Sequence, residues 1–63
     1  MFHIENAKAV AQTDAALLIE STELEESTWF PQSQITDDSE VWKKGDEGTL
    51  IITDWIAEKK GLI

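Results

Sequence analysis

The 63 residues include 13 Asp or Glu side chains against five lysines and no arginine, for a formal net charge of −8. Such a chain is repelled by nucleic-acid backbones and anionic membranes and is attracted to basic surfaces. The length supports one domain, residues 1–63, and the lack of cysteine excludes disulfides and thiolate metal sites.

The N-terminus carries no targeting signal that we recognise. Met1 to Asn6 has no basic region and no apolar run long enough for a signal peptide. No stretch approaches the roughly 18 apolar residues of a membrane span. We therefore expect a cytoplasmic protein that does not bind membranes.

The first third of the chain predicts a β-hairpin. Residues 1–6 read as a strand start or a loose arm, and residues 7–12 alternate between two faces, as in a strand. Gln12-Thr13-Asp14 supplies a turn before a second strand over 15–21. A helix over 5–20 is the competing prediction because alanine is common there, but Thr13-Asp14 interrupts the helical pattern.

The middle of the chain predicts short strands between acidic loops. Residues 23–26 form an acidic turn and 27–30 a third strand, which Pro31 ends or places on an edge. Residues 32–35 continue as an extended or single-turn segment, and 36–40 form a second acidic loop. A short edge strand over 41–44 and a tight turn over 45–48 follow.

The C-terminal stretch predicts a buried strand that turns directly into a short helix. Leu50-Ile51-Ile52 is apolar on both faces. Thr53 or Asp54 can cap the helix, since a short side-chain oxygen accepts a free N–H of the first turn. Lys59 and Lys60 suit the last turn, and Gly61 fits the left-handed position that ends a helix.

The predicted fold class is α+β. It is a small bent antiparallel sheet, or a partly open barrel, of four or five short strands with one C-terminal helix. The expected core residues are Val10, Leu17, Leu18, Ile19, Trp29, Phe30, Ile35, Val41, Trp42, Leu50, Ile51, Ile52, Trp55, Ile56 and Leu62.

Catalytic and cofactor chemistry is not indicated. A nucleophile such as Ser33 would need a base and an orienting group, and the one histidine, His3, lies in the N-terminal arm. The 37–40 loop has oxygen ligands that suit calcium, but its spacing is not that of an EF-hand and it lacks the central glycine. Gly45-Asp46-Glu47-Gly48 lacks the basic residue of a phosphate loop. We predict a non-enzymatic protein with no cofactor and no metal.

Three tryptophans are many for so short a chain. Aromatic rings on a sheet can stack the bases of a single strand, but that mode normally accompanies a positive groove. We expect Trp29 and Trp55 to lie in the core, because a small domain needs large side chains to fill it. Trp42, beside two lysines and between acidic loops, is the best candidate for an exposed contact aromatic.

Acidic side chains cluster at three turns, around residues 20–26, 37–40 and 46–47. They can form an ordinary solvated rim, or their spaced carboxylates can imitate phosphates if two loops share one side. The predicted partner-binding residues are Glu23, Glu25, Glu26, Asp37, Asp38, Glu40, Trp42, Asp46 and Glu47.

Four segments together resemble a group of small phage and prophage proteins. They are residues 29–35 with the pattern W-x-P-x-S-x-I, the acidic loop 37–41, residues 45–50 with G-D-E-G-T-L, and residues 55–62 with W-x-A-x-x-K-G-L. The resemblance covers the C-terminal half to two-thirds. It implies a cytoplasmic binding protein encoded near phage replication, recombination or anti-defence functions, and it carries over no catalytic residue. Gln32 stands where the group has a basic residue, which disfavours nucleic-acid contact.

Charge and resemblance together predict an acidic phage-type interaction protein. Its expected partner is a protein with a basic, nucleic-acid-binding surface, which it inhibits as a DNA mimic or an anti-CRISPR-like factor. The alternative is an accessory single-strand-binding or replication module that uses exposed tryptophans. A third possibility is a homodimer formed through an exposed strand edge.

Overall fold

A computed structural model describes all residues, 1–63, as four strands, one turn of 3₁₀-helix and one α-helix. The strands are β1 (Phe2–Gln12), β2 (Ala16–Glu20), β3 (Thr28–Pro31) and β4 (Glu47–Ile52). The 3₁₀ turn is Gln32–Gln34 and the helix, α1, is Asp54–Lys59. The N-terminal arm is thus part of a long first strand, and the hairpin prediction is confirmed over the helical alternative.

The strands form one antiparallel sheet in the order β3-β2-β1-β4. β1 is central and pairs on both sides, with Ala9 opposite Ile19 of β2 and Ile4 opposite Leu50 of β4. The predicted antiparallel sheet and C-terminal helix are confirmed. The sheet is open, with β3 and β4 at its edges, so it does not close into a barrel.

β1 changes register twice along its length. The shift against β4 falls between Ile4 and Ala7, and the shift against β2 falls between Ala9 and Ala11. Asn6, inside the first irregularity, has φ of 55°, a conformation that asparagine tolerates better than most residues. Such bulges bend a strand and increase its twist. They let one strand of 11 residues serve two shorter neighbours.

The core lies on one side of the sheet, the core face. It joins aliphatic residues of β1, β2 and β4 and Phe30 of β3 to Ile35, Val41 and the helix residues Ile56 and Ala57. The expected core residues that are buried are Leu17, Ile19, Phe30, Ile35, Val41, Leu50, Ile51, Ile52 and Ile56. The buried apolar residues that were not expected are Ile4, Ala7, Ala9 and Ala57.

The tryptophan predictions are largely wrong. Trp29 is 40% exposed and Trp55 is 56% exposed, so neither is a core residue. Trp29 follows the strand alternation, because its neighbour Phe30 occupies the core face and adjacent strand residues point to opposite faces. In α1, the buried side is taken by Ile56 and Ala57, which leaves Trp55 outside. Trp42 is 38% exposed, which agrees with the prediction that it is exposed and contradicts its place among the expected core residues.

The ends of α1 match their sequence signals. Thr53 is the N-cap, and its side chain accepts a hydrogen bond from the Ile56 N–H at 3.4 Å. Asp54 lies in the first turn and Lys59 in the last, as the helix dipole favours. Gly61 has φ of 75° and follows the helix end. With six residues, α1 is the longest helix and is far too short to cross a membrane.

Residues 41–44 do not form the predicted edge strand. The Asp46 carboxylate accepts hydrogen bonds from the backbone N–H groups of Trp42 at 2.9 Å and Lys43 at 3.1 Å. A local side-chain acceptor therefore takes the donors that a strand would use for pairing. The Gly45 N–H donates to the Ala9 carbonyl, which ties this turn to β1.

Candidate interaction surface

The outer edge of β4 is closed by the segment 34–40. This segment runs antiparallel to β4, with an isolated bridge between Ile35 and Ile52. The N–H groups of Thr49, Ile51 and Thr53 donate to Glu40 Oε1 at 2.8 Å, Ser39 Oγ at 3.2 Å and the Gln34 carbonyl at 3.0 Å. The carbonyls of Thr49 and Ile51 accept from Glu40 and Thr36 N–H, each at 2.9 Å. From Thr49 to Thr53, the outward backbone groups of this edge are therefore paired.

Ser39 is the one buried polar residue of the chain, at 7% exposure. Its hydroxyl oxygen accepts from the N–H groups of Val41 and Ile51, both at 3.2 Å. The hydroxyl can donate to the Val41 carbonyl at 3.2 Å. The second acidic loop is therefore anchored from inside, and its carboxylates are displayed on a fixed backbone.

Three of the predicted contact carboxylates already serve the fold. Glu23 Oε1 accepts from the Glu5 N–H at 3.0 Å, and the Ser21 hydroxyl donates to the Glu5 carbonyl at 2.7 Å. These bonds tie the loop after β2 to β1. Glu40 closes the β4 edge, and Asp46 organises the turn over 42–46. Substituting these three would disturb loop structure as well as charge.

Asp46 is the one group whose titration is clearly perturbed. The hydrogen bond from the Trp42 N–H lowers the pKa of the Asp46 carboxyl, partial desolvation opposes this, and the N–H and charge of Lys43 add to the lowering. Each donor stabilises the ionised form. Asp46 therefore stays ionised as part of the turn.

The other five predicted carboxylates are exposed and have no hydrogen bond or ion pair within the chain. They are Glu25, Glu26, Asp37, Asp38 and Glu47. The one ion pair within 4.0 Å joins the Met1 amino group to Asp54, at 3.3 Å. These five charges are consequently free to meet a partner without breaking an internal contact.

The strand register brings some acidic groups together. Lys8 lies opposite Glu20 on one side and opposite Glu47 on the other, so the three side chains form a row on the outer face, the side away from the core. A shallow depression of about 330 Å³ with Glu20, Ser21 and Glu47 in its lining lies over this row. Glu20 and Lys8 were not predicted site residues, although the alternation of β1 already placed Lys8 on one face.

The remaining loops lie apart. Glu25 and Glu26 precede edge strand β3 and line a groove of about 410 Å³ with Lys60, Gly61 and Leu62 beyond α1. Asp37 and Asp38 belong to the segment beyond β4, at the opposite edge of the sheet. The acidic loops therefore form separate groups on the molecule instead of one cluster.

The exposed tryptophans occupy three different settings. Trp42 donates its indole N–H to the Ser39 carbonyl at 2.8 Å, which fixes the ring against the second acidic loop. Lys59 Nζ lies 5.4 Å from the centre of the Trp55 ring, within cation–π range. Trp29 lies opposite Leu18 of β2 on the outer face.

No set of three or more His, Asp or Glu side chains is arranged to hold a metal ion. His3 is exposed and lies opposite Ile51, and Ser33 is exposed in the 3₁₀ turn. The two residues lie in different elements, and neither makes a side-chain hydrogen bond. Searches against models of protein families, curated proteins and solved structures find no match to this chain.

Proposed function

We propose that this chain is a non-enzymatic acidic interaction protein of the phage accessory type. Its partner is a protein that handles nucleic acid through a basic surface, and binding competes with the nucleic acid for that surface. The observation that supports this most is the set of five exposed carboxylates with no internal partner, carried on a body with formal net charge −8. Trp42, fixed by Ser39, is the proposed aromatic anchor.

The carboxylates guide the approach of a partner over a short range. The principal extents are 26 × 23 × 18 Å, and the Debye length is about 8 Å at physiological ionic strength. Charges farther apart than one Debye length are largely screened, so a partner is attracted mainly by the carboxylates on the side that faces it. Fields of this kind raise the rate of encounter with an oppositely charged partner, and salt weakens them.

The test is affinity capture from a nuclease-treated bacterial lysate, with tagged protein, at about 50 mM and about 500 mM NaCl. We expect one nucleic-acid-handling protein or complex to be retained at low salt and released at high salt. Adding a duplex oligonucleotide should displace it, because both ligands use the same basic surface. Retention of no protein, or of proteins that neither salt nor oligonucleotide displaces, contradicts the proposal.

A second candidate function is single-strand binding through the tryptophans, and one observation favours it: all three rings are at least 38% exposed. Base stacking contributes roughly 1–3 kcal/mol per base, enough to detect if two rings take part. Titration with a single-stranded oligonucleotide at low salt should then quench tryptophan fluorescence. Unchanged fluorescence rejects this candidate and leaves the acidic interaction protein.

A further inference from the structure

The two edges of the sheet are treated differently by the rest of the chain. β4 is covered from Thr49 to Ile52 by the segment 34–40, whereas β3 carries no further strand. The Gln32 N–H donates to the Ala15 carbonyl at 2.8 Å, which makes these two residues a hydrogen-bonded pair. Hydrogen-bonded and non-bonded pairs alternate in antiparallel ladders. The N–H groups of Thr28 and Phe30 therefore face β2, and the N–H and C=O of Trp29 face outward.

The free edge of β3 is short and offers few hydrogen-bonding groups. Pro31 also faces outward but has no N–H, so the edge offers a full donor and acceptor pair at Trp29 alone and a further acceptor at Pro31. Proline at an edge is a common device against uncontrolled pairing of strands. An added strand can therefore form only a few backbone hydrogen bonds with β3. Side-chain contacts must supply the rest of the affinity.

Side chains suited to such contacts lie directly beside the edge. Trp29 and Leu18 face each other as a non-hydrogen-bonded pair, in which side chains approach most closely. Both lie on the outer face, where Trp29 is 40% exposed and Leu18 is partly exposed. They form a small apolar shelf next to the open backbone groups of Trp29.

Charge decides which kind of strand can occupy this edge. Glu25 and Glu26 lie immediately before β3, and Asp14 lies in the turn between β1 and β2, next to the other end of β3. None of the three carboxylates has an internal partner. A second copy of the chain would bring another formal charge of −8 to this site, so like-charge repulsion opposes self-pairing.

We propose that the free edge of β3 receives an extended, basic segment of the partner protein as an added strand. Backbone pairing at Trp29 sets the register, the Trp29–Leu18 shelf contacts an apolar side chain, and lysine or arginine side chains of the segment meet Glu25, Glu26 and Asp14. The choice of a basic partner rests on the proposed function, whereas the open edge is independent of it.

The experiment uses a synthetic ten-residue peptide of alternating lysine and valine with blocked ends. A matched peptide of the same sequence carries N-methyl groups on two consecutive central residues, which removes one N–H donor from each of its edges. We expect the unmodified peptide to shift the Trp29 backbone amide resonance and to slow exchange of that amide with solvent. The N-methylated peptide should bind roughly fivefold more weakly, because the Trp29 carbonyl loses the peptide N–H that would pair with it.

Two protein variants distinguish the effect on peptide binding of charge at the β3 edge from the effect of charge elsewhere. E25Q/E26Q should weaken binding of the unmodified peptide by roughly two- to tenfold, and D37N/D38N, which removes equal charge at the opposite edge, should have less effect. Equal binding of both peptides, equal effects of both variants, or perturbation confined to residues outside β3 overturns the proposal. So does a Trp29 amide shift that depends on protein concentration without peptide, which indicates a second copy at the edge.

Failure of this proposal is distinguishable from failure of the proposed function. Salt-sensitive capture of a nucleic-acid-handling protein without any peptide effect at Trp29 removes the added strand but keeps the acidic interaction protein. Peptide binding at Trp29 without such capture keeps the edge site and removes the proposed class of partner.

Discussion

At the scale of single residues, the polar groups that matter most are those that hold loops in place. Ser39 does this from inside the core, and Asp46 does it from the surface. Neither role requires a partner protein. Each role can therefore be tested by measuring the stability of the folded protein, separately from any measurement of binding.

Ser39→Ala should destabilise the protein by about 1–3 kcal/mol, because the N–H groups of Val41 and Ile51 would lose their acceptor while remaining buried. Urea unfolding measures this as a lower midpoint with an unchanged slope. Ser33→Ala is the matched control, since Ser33 is exposed and should change stability by less than about 0.5 kcal/mol. Equal effects of the two variants would show that Ser39 does not anchor the loop.

Asp46 should contribute stability that depends on pH. Its pKa is lowered in the folded state, so its contribution is complete above the unfolded pKa of about 3.9 and is lost as pH falls through the folded pKa. Asp46→Asn should flatten the dependence of the unfolding midpoint on pH below about pH 4. Asp14→Asn, a substitution at an exposed carboxyl without hydrogen bonds, is the control. An unchanged pH profile in D46N would contradict the assigned role.

At the scale of elements, the closure of the β4 edge explains why Gly48 is a glycine. Its φ is 143°, and a Cβ there would lie 2.8 Å from Glu40 Oε1 and 3.2 Å from Glu40 Cβ. Glu40 needs that space to accept the Thr49 N–H. Gly48 and Glu40 therefore act together to join the second acidic loop to the sheet.

Gly48→Ala should destabilise by at least about 1–3 kcal/mol, from backbone strain and displacement of Glu40. Gly45→Ala is the control: its φ of 97° is also strained for alanine, but no atom lies within 4 Å of the added Cβ. The difference between the two, measured by thermal or urea unfolding, isolates the contact with Glu40. A G45A variant as unstable as G48A would indicate that strain alone decides the result.

Elements with local signals could be predicted from the sequence, and those set by distant contacts could not. The cap at Thr53 and the stop at Gly61 depend on neighbouring residues, and both predictions are confirmed. The segment 34–40 lies along β4 through contacts with residues 9 to 19 positions away, which no local pattern reveals. The exposure of Trp29 could have been predicted from the sequence, because strand alternation places it on the face opposite to the inward Phe30.

At the scale of the whole molecule, the charge is both the proposed means of binding and a cost to stability. With one ion pair and a formal net charge of −8, the carboxylates repel one another. Like-charge neighbours destabilise by a few tenths of a kcal/mol per pair, and salt screens this repulsion. The composition predicts an acidic surface. The separation of the carboxylates into groups at opposite edges of the sheet depends on strand order, which the composition does not reveal.

Raising NaCl from about 10 mM to about 300 mM should therefore increase the urea midpoint. The quadruple variant E25Q/E26Q/D37N/D38N should be more stable than the wild type at low salt and should respond less to added salt. A midpoint that falls with salt would mean that attractive contacts outweigh repulsion in the folded chain.

The measurement that tests the central claim most directly compares two variants of equal charge in the lysate capture. E25Q/E26Q/D37N/D38N removes four carboxylates of the predicted contact set that make no internal bond. E5Q/E20Q/D54N/E58Q removes four exposed carboxylates that lie outside that set and outside the β3 edge site. We predict that the first variant loses the salt-sensitive partner while the second retains most of it. Equal retention by both variants would contradict the claim that these particular carboxylates bind the partner.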